Sequence, residues 1–224
     1  MELNYDIVFS QRKKITITVE RDRSVKVYAP EGTSVEKIKA IVESKKLWIY
    51  EKTRHQQKYD QLPHAPGKEL VTGESLPYLG KNYQIELVDT NDGIRFTQKF
   101  LVPRGLIGNK QVFKNWYQEK AKEKILPRVL SHAKNLGVTY KEAKIGDSKL
   151  QWGSCTPENN VLFTWRLIKA PMFVIDYVIV HELAHLLESN HTPIFWNIVK
   201  AQIADMEKAK QWLKAHGGEL EEEL

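Results

Sequence analysis

Near its start the chain alternates apolar and polar positions with period two. Ile15, Ile17 and Val19 point one way, Asp22-Arg23-Ser24 offers a turn, and Val25 and Val27 resume the pattern. That predicts a pair of strands. Pro30 to Gly32 ends the run, and Thr33 followed by Glu36 has capping-box spacing. Ile38, Ile41, Val42, Trp48 and Ile49 then mark a helix. Residues 56–75 are mostly polar, and Pro63, Pro66, Gly67 and Gly73 break any period there. Tyr83, Ile85 and Leu87 predict a strand, Asn91-Asp92-Gly93 a turn, and Ile94 and Phe96 lead out of it. Residues 101–105 read as a loop open to proteases. From 111 to 136, Val112, Phe113, Trp116, Tyr117, Ala121, Ile125, Val129 and Ala133 form one helical face. Pro127 is expected to kink that helix and Gly137 to stop it.

Short strands are expected over 139–144, 150–155 and 161–168, with Glu158-Asn159-Asn160 as a turn. Pro171 to Val180 is apolar almost all round. Its β-branched density suits a strand, but its length and the histidine spacing that follows favour one buried helix over about 171–188. Ser189-Asn190 interrupts it. Thr192-Pro193 is a cap followed by a first-turn proline. Phe195, Ile198, Val199, Ile203, Met206, Trp212 and Leu213 continue at roughly helical spacing to an expected end near Gly217, with a frayed acidic tail beyond. The order of elements predicts an α+β fold, with an N-terminal β-rich lobe carrying one helix over 1–105 and a second domain over 106–224.

The chemistry sits in His181-Glu182-Leu183-Ala184-His185, followed by His191. Two histidines four apart on a helix share a face, so their rings can grip one ion. Glu182 lies about 100° round the helix from His181, close enough to hold a water against that ion. His191 falls in the bend between two helices and can swing back as a third ligand. Three nitrogens leave one position open, the catalytic arrangement of zinc. If the histidines were merely core residues, Glu182 would be a costly buried carboxylate.

Composition narrows the setting. A chain of 224 residues can bury a core without staples. Cys155 is the only cysteine, so there is no internal disulfide framework, and cytoplasm is the expected location. No charge-free apolar stretch near 18 residues predicts a membrane span. Net charge is +6, and residues 110–134 carry seven Lys/Arg against two acidic residues. That segment suits either a solvated helix face or an anionic partner such as DNA.

The C-terminal half resembles the YgjP-like metallopeptidase family of predicted metal-dependent hydrolases. The resemblance is carried by Trp152-Gly153-Ser154-Cys155, Trp165-Arg166-Leu167-Ile168, Pro171, Asp176-Tyr177-Val178, the HELAH segment, His191 and Phe195-Trp196. It extends through Pro30, Lys46, Trp48 and Tyr83 to nearly the whole chain. The family is similar to the zincin peptidases, among them the SprT-like and WLM groups. The resemblance implies zinc on His181, His185 and His191, Glu182 as catalytic acid–base, and a zincin-like metal helix packed on a small sheet. It also implies an edge strand open to a peptide or protein substrate. Some relatives act in DNA–protein crosslink repair, which makes DNA a partner by analogy only. Gln151 and Thr164 depart from the usual arginine and asparagine, and Glu188 stands where the longer metzincin motif has glycine.

The expected reaction is peptide-bond hydrolysis by a zinc-activated water, with Glu182 moving the proton. Arg166 and Tyr177 are candidates to stabilise the oxyanion. Asp176 faces away from His181 and is not expected to ligate. Cys155 could approach as a fourth ligand, which would close the site. Trp152 and Trp165 are expected in the core. The alternatives are a metal-dependent hydrolase of a non-peptide amide or ester, and a nucleic-acid-associated module with a gated or inactive metal site.

Overall fold

The computed structural model describes residues 4–12, 14–19, 24–54, 68–149, 151–222 and 224. The chain divides into two compact units, Met1–Lys58 and Tyr59–Leu224. The expected turn at 22–23 and the breakers Pro63, Pro66 and Gly67 lie outside the described residues.

The first unit holds three strands, β1 (Asp6–Ser10), β2 (Thr16–Val19) and β3 (Val25–Pro30), in the order β1-β3-β2. β2 pairs antiparallel with β3, as the alternation predicts; β1 pairs parallel on the other edge and was not foreseen. Its residues are half-exposed or exposed, so it lacks a clean apolar period. The helix predicted around Ile38 is two, α1 (Val35–Ser44) and α2 (Lys46–Arg54). Its cap is Ser34, whose hydroxyl accepts from the Lys37 N–H, whereas Thr33 donates back to the Pro30 carbonyl. Val25, Val27, Ala29, Ile38, Val42 and Ile49 form the unit's core.

The second unit begins with β4 (Ser75–Tyr78), β5 (Lys81–Val88), β6 (Arg95–Phe96) and β7 (Phe100–Pro103), ordered β4-β5-β7-β6. The sequence pattern groups these strands with the N-terminal lobe over 1–105. Instead Leu76, Ile85, Phe100 and Val102 share one core with the helices that follow. Residues 100–103 are a strand rather than an open loop. Phe100 and Val102 are fully buried, and burial overrides the Pro-Arg-Gly punctuation after them. The Asn91-Asp92-Gly93 turn does not pair β5 with β6: β7 lies between them, parallel to β5 and antiparallel to β6.

Next comes α3 (Lys110–Leu136), 27 residues long, capped by Asn109. Pro127 lies inside it without ending it, and Gly137 closes it in the left-handed region at φ 68°. A small sheet follows, made of β8 (Glu142–Gly146), β9 (Gly153–Cys155) and β10 (Asn160–Thr164) in the order β8-β10-β9. β10 is shorter than expected, because Trp165–Lys169 turns into a 3-10 helix whose Thr164 cap accepts from the Arg166 N–H. The chain then enters α4 (Met172–Ala184). It is buried on nearly every side, as an all-round apolar helix must be, and packs on α3, the helices after it and β9. α5 (Pro193–Gln202) and α6 (Met206–Glu221) complete the unit.

The single helix expected after Thr192 is therefore broken at 203–205, and Gly217 lies buried inside α6 rather than ending it. Nor is the acidic tail frayed. Leu220 and Leu224 are buried, and Lys169 Nζ donates to the carbonyls of Leu220 (3.1 Å) and Glu222 (3.0 Å). A buried ammonium satisfies the helix end that solvent was expected to cover.

Candidate metal centre

α4 delivers the first two histidines. It ends at Ala184, earlier than predicted, but its C-cap His185 keeps helical angles (φ −64°, ψ −17°). His181 and His185 therefore stay on one face, ring centroids 5.1 Å apart. The chain then turns back through Glu188 to His191, and Thr192 starts α5 at once by accepting from the Phe195 N–H. That cap places Phe195 in the first turn of α5. Its ring is fully buried and lies 4.9, 4.6 and 4.7 Å from the rings of His181, His185 and His191. Trp196 stacks on His191 at 5.4 Å and 23°.

The imidazoles converge. One ligand nitrogen from each lies within 4.8 Å of the others, an arrangement that could hold a metal ion. Nε2 of His181 and Nε2 of His191 are 3.0 Å apart, near enough to share a proton or a cation. His185 Nδ1 lies 3.2 Å from the Glu188 carbonyl. A carbonyl only accepts, so the proton sits on Nδ1, and Nε2 keeps its lone pair for a metal. Burial, and then the neighbouring His185, push the His191 pKa down, favouring the neutral form that can ligate.

Glu182 is buried at 8% exposure and lies against β9 at Gly153. Tyr177, one turn before His181, has its ring 5.9 Å from that imidazole. Burial foremost, then the charges of Glu207 and Glu182, raise the Tyr177 pKa to about 12. At neutral pH it is an O–H donor.

Arg166 stands in different surroundings. Its Nη1 donates to Asp147 Oδ1 at 2.6 Å, and its guanidinium lies over Trp165. Lys114 and the Trp165 indole N–H also reach Asp147. The guanidinium is buried, not a surface group, and its charge is already engaged. Asp176 turns to α3, where Arg128 and His132 hold it, as its helix position implied. Cys155 is not among the residues of the histidine cluster. Trp152 and Trp165 are buried in the core as expected. Thr164, one of the departures from the family pattern, donates to the Ser148 carbonyl and caps the 3-10 turn.

No pattern in the sequence gives Phe195, Gly153 or the Glu188 carbonyl a role at the site. Phe195 shows in the sequence as an apolar helix position four residues after His191 and as part of a family motif, neither of which says that it packs on the histidine rings. A backbone carbonyl leaves no mark in a sequence. The basic stretch of α3 proves largely paired: Lys114, Lys120, Lys122, Lys124 and Arg128 each have a carboxylate within 4 Å.

A family model described as YgjP-like, metallopeptidase domain, matches residues 13–216. The chain belongs to that family. Membership makes it a metallopeptidase-type, metal-dependent hydrolase domain, and the three histidines are its candidate metal centre. Among solved structures, the metallopeptidase zymogen of Pyrococcus abyssi abylysin is similar at 17% identity over 41% of this chain and 96% of that one, with a TM-score of 0.35. No curated protein matches the chain. Among the described residues, no helix is long and apolar enough to cross a membrane.

Proposed function

We propose that the protein is a zinc-dependent metallopeptidase that hydrolyses peptide bonds at this cluster. The observation that carries the reading is the convergence of His181, His185 and His191, each offering a ligand nitrogen within 4.8 Å of the other two. An all-imidazole donor set suits zinc, and three protein ligands leave a position for substrate. When bound there, zinc would lower the pKa of water and polarise the scissile carbonyl.

The chain's own residues supply the rest. Glu182 is the acid–base: its carboxylate takes a proton from the attacking water and returns it to the departing nitrogen. Tyr177, held protonated by its surroundings, is the favoured donor to the oxygen that gains charge. Arg166, bonded to Asp147, is assigned to supporting the turn before α4 instead. The Glu188 carbonyl fixes the tautomer of His185, and Phe195 backs all three rings, so the ligands are set before any ion arrives. The substrate is a peptide or protein.

The test compares metal content and hydrolysis of a peptide library in wild type, His185→Ala and Glu182→Gln, beside small amide and ester substrates. Glu182→Gln should keep the metal and lose about 10²–10⁴-fold in kcat. His185→Ala should fail to retain the metal. Turnover unaffected by Glu182→Gln defeats the mechanism, and activity confined to the small substrates defeats the peptidase assignment.

A further inference from the structure

β9 is an edge strand: β10 covers one side of it, in register Phe163 to Gly153, and no strand is paired on the other among the described residues. α4 packs against it. At Gly153 the approach is unusually close. A Cβ built there would lie 2.6 Å from Glu182 Cγ, 2.9 Å from its Oε1 and 3.0 Å from its Cδ. Two of these atoms belong to the stem and carboxyl carbon. Swinging the tip aside would not relieve the contact; the side chain would have to change its course from Cβ outward. Gly153 is not among the residues with positive φ. Its backbone angles are therefore open to alanine, and space alone requires glycine here.

We infer that Gly153 is a positioning residue for Glu182: the missing side chain leaves the room that the glutamate side chain occupies against the edge strand. This rests on Glu182 being the acid–base. The strand backbone forms a rigid wall on one side of the carboxylate, and α4 fixes its Cα on the other. One methyl group at 153 would wedge the two apart or drive Glu182 into another rotamer. The three imidazoles are held from elsewhere, by Phe195, Trp196 and the Glu188 carbonyl, so metal retention should survive the change while proton transfer does not.

The experiment is a two-by-two set on the full chain: wild type, Gly153→Ala, Glu182→Ala and the double variant. Each is measured metal-stripped for its thermal midpoint and metal-loaded for zinc content, kcat and KM. Gly153→Ala should lower the midpoint by roughly 5 °C when Glu182 is present and by less than about 1 °C when residue 182 is alanine, because the clash then has no partner. It should lower kcat about 100-fold with zinc content and KM little changed, the signature of a misplaced acid–base. Equal midpoint losses in the two backgrounds overturn the inference, as does full kcat in Gly153→Ala. If Gly153→Ala alone does not fold, recovery of folding in the double variant supports the inference and failure to recover overturns it. The stability arm needs no activity. An inactive wild type would defeat the peptidase reading and leave the steric coupling to be decided separately.

Discussion

Tyr177 and Arg166 carry similar donor chemistry, but their neighbours give them different work. Tyr177 sits on the histidine face of α4, beside His181, with its phenol held protonated. Tyr177→Phe should reduce kcat by about 10²-fold with zinc content and unfolding midpoint nearly unchanged, in steady-state kinetics on a peptide substrate. Arg166 is 4% exposed and its partner Asp147 is 43% exposed. Removing the guanidinium leaves Asp147 with Lys114, the Trp165 indole N–H and solvent, so Arg166→Gln should cost on the order of 1–2 kcal/mol, less than for a fully buried pair. Denaturant titration checks this; a large loss of kcat in a fully folded Arg166→Gln would place Arg166 back at the reacting atoms.

Among the elements, the junction between α4 and α5 matters most. α4 could supply two ligands alone, but the third depends on where α5 starts. The Thr192 hydroxyl sets that start, and the first turn then presents Phe195 and Trp196 to the rings. An N-cap of this kind is worth about 1 kcal/mol. If α5 orders His191 for metal, Thr192→Ala should weaken zinc affinity about 5-fold and Thr192→Ser should restore it, read by competition with a chromophoric chelator. An affinity unchanged by both would separate the cap from the site. This junction was legible in the sequence because caps and first-turn prolines act within one turn of the chain. The split between α5 and α6 was not legible, since the apolar spacing runs through it. Nor was the order β4-β5-β7-β6: a turn motif marks where a chain bends but not which strand it meets.

For the whole molecule, the 3-10 turn after β10 ties the sheet, the metal helix and the C-terminus together through Lys169. Burial first, then Arg166, lowers the Lys169 pKa from 10.5 to about 7; Glu222 opposes and Lys68 assists. Below about pH 7 the folded protein carries the buried charge at full cost. Between about pH 7 and 10.5 the unfolded chain binds more protons than the native one, so this group's contribution to stability rises with pH. Relative to Lys169→Met, wild type should gain on the order of 4 kcal/mol across that window, measured by denaturant unfolding at stepped pH. A flat difference would mean that the two carbonyl hydrogen bonds keep Lys169 fully charged.

The order of residues alone determined the buried helix, the histidine pair on one of its faces, the bend that returns His191, and the α+β class, because helical periodicity and capping are written in neighbours one turn apart. Only the tertiary structure decided that residues 100–103 are a core strand, that the C-terminal tail docks on Lys169, that Arg166 is engaged by Asp147, and that Gly153 leaves room for Glu182. Each of these joins groups far apart in the chain, and which partner wins depends on competing burial and charge that no local pattern records.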